Sequence, residues 1–192
     1  MADSRSYKKH PKVFGIVGLP GSGKDYFCYK IIPKTFDEKC KVIDSDKITH
    51  EVLIECSEQI RETVGDMVFS DNGKLDRKKL AEVLFNDQKK MKKHLIVVNP
   101  KIQKKVLHRL QNIPNSTRVF INSPFLFEYG WDNHCDEIWL IYASFETRLE
   151  RVKSRGWDKS ELERRDSKFM AIEELRKKCD RVIVNEGNDK NA

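Results

Sequence analysis

The chain of 192 residues is 39% hydrophobic and 35% charged, and its formal net charge is +7. This content suits one moderate hydrophobic core, so we expect a single domain over residues 12–187, a disordered basic tail at 1–11 and a polar tail at 188–192. The composition excludes a membrane-spanning protein, because no apolar run approaches the roughly 20 residues that cross a bilayer.

The cysteines and the start of the chain predict a cytoplasmic protein. The five cysteines are odd in number, widely spaced and without a C-x-x-C pair, which argues against a disulfide framework or a zinc site. No apolar signal-peptide core follows the first methionine. Positive charge gathers at residues 5–12 and 89–94, where it could meet an anionic partner or form a solvated surface. The motifs below favour a small molecule over nucleic acid, and none indicates an oligomeric state.

A phosphate-binding loop follows the first predicted strand. The apolar residues 13–17 run into Gly18-Leu19-Pro20-Gly21-Ser22-Gly23-Lys24, which fits the pattern G-x-x-x-x-G-K. The glycines let backbone N–H groups turn toward phosphate oxygens, and a helix predicted over residues 25–32 adds the partial positive charge of its N-terminus. The residues expected to bind the nucleotide here are Gly18, Gly21, Ser22, Gly23, Lys24, Asp25 and Tyr26.

Two carboxylates follow the next predicted strand, an apolar segment at residues 41–43 that ends in Asp44-Ser45-Asp46. Ligands of open α/β sheets bind at the carboxyl ends of the strands, so these carboxylates would face the phosphate loop. Asp44 or Ser45 could also cap the following helix, predicted over residues 47–56, and the two roles are compatible.

The middle of the chain is predicted to be mostly helical. Residues 57–87 have helical patterning with turn residues at 69–75, and Asp76 is a good N-cap for a helix at 77–85. Arg77 could be a surface residue or could bind phosphate through its planar guanidinium group. The apolar run 95–98 predicts a strand that ends at Asn99-Pro100, with a helix over 101–111 after it.

Three more strands are predicted at residues 118–121, 137–142 and 180–184, and a frayed polar tail is expected from Asn185. Asn122 follows the first of these strands, where a phosphate-loop NTPase commonly has an acidic residue for Mg²⁺. Ser144 is a predicted N-cap for the helix after the second strand.

Residues 146–178 are highly charged and helical in pattern, with a break at Gly156-Trp157-Asp158. The arginines around the break could form a lid, at about residues 146–170, that neutralises a triphosphate and excludes water. The other interpretation is an exposed helical hairpin with i,i+4 ion pairs. The arginines concerned are Arg148, Arg151, Arg155, Arg164 and Arg165.

Several motifs in the right order resemble the dephospho-coenzyme A kinase family over residues 13–187. Asp44-Ser45-Asp46 resembles the family's aspartate-x-aspartate segment, and residues 73–80 resemble its G-x-L-D-R-x-x-L motif. Further similar segments are Phe85-Asn86-Asp87, residues 124–128, the lid arginines Arg151, Arg155 and Arg165, and residues 180–187.

The resemblance implies an α/β fold, a P-loop three-layer sandwich with a five-stranded parallel sheet in the order 2-3-1-4-5, a helical substrate-binding region and a helical lid. It also implies transfer of the ATP γ-phosphate to the ribose 3′-hydroxyl of dephospho-coenzyme A, with Mg²⁺. Asp44 would accept the hydroxyl proton, Lys24 and Arg155 would stabilise the phosphoryl group, and Arg151 would contact ATP. The residues expected around the acceptor are Asp46, Arg77, Asn99, Pro124, Glu128 and Arg165.

Four positions depart from the family pattern: Asp25 replaces Ser or Thr, Asn122 an acidic residue, Asn99 a histidine and Phe169 a glutamine. The first two could be linked, because one carboxylate is lost at the strand end and one is gained at the loop. We expect Asp25 and Asp44 to be the Mg²⁺ ligands. The departures leave open another small-metabolite or nucleoside monophosphate kinase, or an ATP-binding sensor without transfer activity.

Overall fold

The computed structural model describes residues 11–36 and 39–187, which fall into two compact units. The sheet unit comprises the described residues up to Ile43 and from Asn112 onward, and the helical unit comprises Asp44–Gln111. Residues 1–10 of the predicted tail at 1–11, and the whole predicted tail at 188–192, lie outside the described residues. Pro11, the last residue of the first predicted tail, is buried. Of the helices in the described ranges, none is both long and apolar enough to cross a membrane.

The sheet consists of β1 (Lys12–Val17), β2 (Cys40–Asp44), β3 (Arg118–Asn122), β4 (Glu137–Tyr142) and β5 (Arg181–Val184). Its strands lie in the predicted order, β2-β3-β1-β4-β5. The central strand β1 pairs in parallel with β3 and β4, and β4 pairs in parallel with β5. Each strand lies within one residue of its predicted bounds.

An aromatic cluster forms the core of the sheet unit. The Phe14 ring of β1 stacks on the Phe120 ring of β3 with 4.9 Å between centroids, and the Trp139 ring of β4 lies 5.0 Å from Phe14. Ile16 and Ile141 belong to the same buried cluster, because alternate residues of a strand share one face. This packing fixes the central strands, and with them the loops at their carboxyl ends.

The first helix continues past its predicted end at Ile32. A proline inside a regular α-helix clashes with the carbonyl four residues earlier. Here a wider π-helical turn, in which the Ile32 N–H donates to the Phe27 carbonyl, immediately precedes Pro33 and lets the helix continue to Phe36. The helices of the sheet unit are α1 (Lys24–Tyr26), the π-helical turn (Phe27–Ile31), α2 (Ile32–Phe36), α7 (Phe145–Val152), α8 (Lys159–Asp166) and α9 (Ile172–Lys178).

The helical unit is built around one long helix. Helices α3, α4 and α5 each pack against α6, and Asp76 caps α5 as predicted, accepting hydrogen bonds from the backbone N–H groups of Lys78 and Lys79. The helices are α3 (Ser45–Glu55), α4 (Ser57–Val64), α5 (Arg77–Asn86) and α6 (Gln88–Gln111), with a 3₁₀ turn at Asp66–Val68.

The prediction of a strand at residues 95–98 is wrong, because these residues lie inside α6. Val98, Ile102 and Val106 are buried at four-residue spacing, which is the repeat of one helix face, whereas Ile96 is exposed. Pro100 stands within the helix at an exposed position, where its missing N–H removes one backbone hydrogen bond without ending the helix. A run of four apolar residues does not by itself distinguish a strand from a helix.

Candidate active site

The loop between β1 and α1 has the backbone geometry of a phosphate cradle. Gly21 and Gly23 have left-handed φ angles of 80° and 86°, which glycine adopts without strain. A Cβ on Gly18 would stand 2.6 Å from both the Ile141 carbonyl oxygen and the Ser22 Oγ, so only glycine is accommodated there. The loop residues predicted to bind phosphate therefore form one turn at the carboxyl end of β1.

Two side-chain hydroxyls of this region are buried without a partner in the described part of the chain. Ser22 is 1% exposed, and its hydroxyl has no hydrogen bond there. The Tyr26 hydroxyl, at the end of α1, is likewise buried and unpaired. Buried hydroxyls without partners are uncommon. Both belong to the segment predicted to bind the nucleotide.

Lys24, Asp25 and Asn122 form a closed ring of hydrogen bonds. The Lys24 ammonium donates to the Asn122 Oδ1 at 2.6 Å and to the Asp25 Oδ1 at 3.0 Å, and the Asn122 Nδ2 donates to the same Asp25 oxygen at 3.0 Å. The two departures that the sequence suggested could be linked are therefore in direct contact.

The Asp25 carboxylate is held in its ionised form. Partial burial alone would raise its pKa, but the Lys24 ammonium and the hydrogen bonds from Asn122 and Lys24 outweigh burial, with a further contribution from the Arg155 charge, and lower the pKa below its usual value. The side chain is 68% exposed. It can therefore present a charged oxygen to a ligand of the loop.

Arg148, which the sequence placed only in the lid, is buried and contacts the phosphate loop. Its guanidinium group donates to both Asp166 carboxylate oxygens, at 2.8 and 2.7 Å, and to the Pro20 carbonyl at 3.2 Å. Its side chain is 6% exposed. The pairing joins α7 and α8 to the loop across 18 residues of sequence, and no local sequence pattern indicates it.

Replacing Arg148 with Met should destabilise the protein by about 3–5 kcal/mol, because it leaves the Asp166 carboxylate without its buried partner. Urea unfolding of both proteins measures the difference. The matched control is Arg164→Met, since Arg164 is an exposed arginine that pairs with Glu161 on the surface and should change stability far less. Equal losses in the two variants would contradict the role of the buried pair.

Arg151 contacts the loop from its carbonyl side. Its guanidinium group lies within 3.3–3.4 Å of the Gly21 and Ser22 carbonyl oxygens and donates to the carbonyls of Asn185 and Gly187 at 3.0 and 2.9 Å. The Asn185 side chain also donates to the Ser22 carbonyl at 2.8 Å. The prediction of a frayed tail from Asn185 is therefore wrong for residues 185–187.

Two further lid arginines, Arg155 and Arg165, lie beside Trp157. The Arg165 guanidinium carbon lies 3.8 Å from the Trp157 ring centroid, and its Nε donates to Glu161 at 2.7 Å. The Arg155 guanidinium lies 5.5 Å from the same ring, and its charge contributes to the lowered pKa of Asp25. The Arg165–Glu161 pair is thus an ion pair of the kind expected of an exposed hairpin. Arg155, in contrast, influences the charge state of the loop through Asp25.

The helical unit contains four of the predicted residues. Asp44 is the last residue of β2 and caps α3, accepting from the backbone N–H groups of Asp46 and Lys47 at 2.9 and 3.1 Å. The capping interpretation is therefore confirmed. Arg77 is exposed at the start of α5, and the Asn99 Oδ1 in α6 is buried without a partner among the described residues.

Two predicted acceptor residues follow β3 in the sheet unit. Pro124 begins the turn after this strand, and Glu128 is exposed further along it. Between them, Phe125 stacks on Phe169 with 4.8 Å between ring centroids. The phenylalanine found where the resemblance expects a glutamine thus packs against the segment that includes Pro124 and Glu128.

The described residues contain no group of three or more His, Cys, Asp or Glu side chains suited to hold a metal ion. The site instead combines a glycine cradle, a lysine at the start of a helix and arginines from the following helices. A parallel sheet of order 2-3-1-4-5 with such a loop after its central strand defines a P-loop kinase.

Comparison with known proteins narrows this class. The sequence model of the dephospho-CoA kinase family matches residues 12–191, and the chain belongs to this family. Among curated relatives, the dephospho-CoA kinase of Fusobacterium nucleatum is 32% identical over 179 residues, and that of Aquifex aeolicus is 30% identical over 181 residues. Each alignment covers 92% of this chain and 90% of the relative.

Solved structures agree with this membership. The crystal structure of TT1252 from Thermus thermophilus superposes with a TM-score of 0.82 at 30% identity, covering 94% of this chain and 91% of the other. A dephospho-CoA kinase from Campylobacter jejuni gives a TM-score of 0.68 at 27% identity, covering 92% and 89% of the two chains. The predicted family and fold class are confirmed.

Proposed function

We propose that this protein transfers the γ-phosphate of ATP to the ribose 3′-hydroxyl of dephospho-CoA. The observation that carries the proposal is an intact phosphate loop in a chain that matches the dephospho-CoA kinase family from residue 12 to 191. The relatives named dephospho-CoA kinase support the acceptor. We expect the reaction to occur in the cytoplasm, which rests on the cysteine spacing in the sequence.

Binding of the donor would depend on the sheet unit. Backbone N–H groups between Gly18 and Lys24 would hold the phosphates, and the Lys24 ammonium would neutralise charge on the transferring group. Arg155 would add positive charge from the lid. Arg151 would act on ATP through the loop, because its contacts are with loop carbonyl oxygens.

Proton removal from the ribose hydroxyl is assigned to Asp44, which would accept the proton as the oxygen attacks the phosphoryl group. Its cap hydrogen bonds both use Oδ1. An aspartate that caps a helix has its orientation fixed by that role, and orientation is what a general base requires. Around the acceptor we place Asp46, Arg77, Asn99, Pro124, Glu128 and Arg165.

The loop residues suit a hard cation. Asp25 supplies an ionised, exposed carboxylate, an oxygen type that Mg²⁺ prefers, and every hydrogen bond made to it by the described residues uses Oδ1. We propose that Asp25 and Asp44 are the protein ligands of Mg²⁺. When bound, the cation would neutralise phosphate charge and offset the repulsion between Asp25 and the triphosphate.

Changing Asp25 to Asn should raise the Mg²⁺ concentration needed for half-maximal turnover by about tenfold or more, because the site loses its charged oxygen. The measurement is a Mg²⁺ titration at saturating ATP, with calorimetry of Mg-ATP binding beside it. Asp71→Asn, an Asp-to-Asn change at an exposed turn residue, is the matched control. An unchanged Mg²⁺ dependence in Asp25→Asn would show that Asp25 is not a ligand.

The activity itself is tested by following ADP formation from Mg-ATP with dephospho-CoA, and then with a panel of nucleoside monophosphates. We expect ADP to form only with dephospho-CoA, and phosphorus NMR of the product to place the new phosphate on the ribose 3′-oxygen. Turnover with a nucleoside monophosphate instead would identify a different kinase. ATP binding without any acceptor-dependent ADP would identify a sensor.

A further inference from the structure

The end of β3 places an amide beside the loop, at a position where the family pattern has an acidic residue. Asn122 is 2% exposed, and its side chain makes hydrogen bonds with both charged residues at the start of α1. Its oxygen accepts from the Lys24 ammonium at 2.6 Å, and its nitrogen donates to the Asp25 carboxylate at 3.0 Å. The lysine side chain is 11% exposed, so its position depends on the groups packed around it.

An amide suits position 122 because its neighbour is the Asp25 carboxylate. With Asp25 at the loop, a second carboxylate at position 122 would place two like charges on one ammonium and would leave Asp25 without its amide donor. An alkyl side chain would satisfy neither group. An amide can accept from the cation and donate to the anion at the same time.

The opposite arrangement satisfies the same ring. An aspartate at position 122 would accept from Lys24, and an asparagine at position 25 could donate to it. The total charge of the three side chains is the same in both arrangements. In each, both short side chains offer the ammonium an oxygen, and one amide-to-carboxylate hydrogen bond joins them. The identities of residues 25 and 122 are therefore coupled through direct contact.

We propose that Asn122 is a positioning residue of the phosphate loop, whose amide holds the Lys24 ammonium and the Asp25 carboxylate where they meet the nucleotide, and that residues 25 and 122 act as one exchangeable pair. The proposal deepens the proposed function and rests on it in one respect, that the loop binds ATP.

The test is a double-mutant cycle with Asp25→Asn, Asn122→Asp and the combined exchange. In Asn122→Asp, the added carboxylate should raise the unfolding equilibrium constant and weaken binding of ATP in EDTA, each roughly tenfold. The kcat should fall by a similar factor, while the KM for dephospho-CoA stays within about twofold. Adding Asp25→Asn should recover most of the loss in stability and in ATP binding measured in EDTA, because the ring forms again with its charge moved.

The control combines Asp25→Asn with Asn133→Asp, which has the same total charge but adds the carboxylate at an exposed residue of the turn at Trp131–His134. We expect its two changes to be additive. Additivity in the Asp25 and Asn122 cycle, or equal loss of kcat and of dephospho-CoA affinity in Asn122→Asp, would overturn the proposal. The unfolding measurements need no substrate, so they test the ring even if the wild-type protein proves to have a different activity.

Discussion

Replacing Lys24 with Met should lower kcat/KM for dephospho-CoA phosphorylation by roughly 10²–10³-fold, because the variant lacks the charged donor for the transferring phosphoryl group. The loss has a second cause in this protein. Without the ammonium, the Asp25 carboxylate stands beside the bound phosphates with its nearest counter-charge removed. Affinity for ATP should therefore fall together with turnover. It should fall more when ATP binding is measured in EDTA than when it is measured with Mg²⁺.

Stability must be measured with the Lys24 variant, since the Asn122 oxygen would lose the donor 2.6 Å away. A buried acceptor left unpaired costs about 1–3 kcal/mol, which urea unfolding detects. Lys30→Met is the matched control, because Lys30 is an exposed lysine of the same helical segment. A Lys24 variant that keeps a third of its activity would contradict the assignment of this loop as the phosphate site.

The sheet could be predicted from the sequence because each strand is a short apolar run that ends in polar or turn residues. The phosphate loop could also be predicted, because the spacing of its glycines marks positions where the backbone requires glycine. Gly21 and Gly23 have the left-handed conformations that the pattern implies. The strand order came from the family resemblance. Apolar runs give the positions of strands, but their neighbours in the sheet depend on packing.

The two wrong predictions concern segments whose composition suits two different structures. The apolar run before Asn99 has the composition of a strand, yet the lysine-rich residues before it and the buried face through Val98, Ile102 and Val106 make it part of a helix. Asn185 lies in a polar segment near the end of the chain, where fraying is the usual outcome. Its order comes from hydrogen bonds to Arg151 and to the Ser22 carbonyl, which only the folded chain brings near.

The polar contacts behind the loop were beyond sequence reasoning for the same reason. Arg148 and Asp166 both occur in charged helical segments where solvated ion pairs are expected, and nothing local distinguishes the buried pair from the exposed ones. In the sequence, position 122 shows only that an expected carboxylate is absent. The Asn122 amide lies 98 residues along the chain from Lys24. It contacts both Lys24 and Asp25 because the pairing of β1 with β3 places both strand ends at one edge of the sheet.

Replacing Asp44 with Asn should lower kcat by about 10²–10⁴-fold, because the variant has no carboxylate to accept the ribose hydroxyl proton. The fold should be little affected. Asn is as good an N-cap as Asp, so its side-chain oxygen can still accept from the N–H groups of residues 46 and 47. The measurements are single-turnover phosphorylation of dephospho-CoA and urea unfolding.

The chain provides a closely matched control for Asp44 in Asp76, which caps α5 with the same geometry. Its Oδ1 accepts from the second and third residues after it at 2.9 and 3.1 Å, the same distances as in Asp44. Asp76→Asn should therefore change stability as little as Asp44→Asn and leave kcat unchanged. Equal kcat in the two variants would show that Asp44 is only a helix cap. Loss of kcat in Asp44→Asn alone would separate proton transfer from capping, because the two aspartates make the same backbone hydrogen bonds.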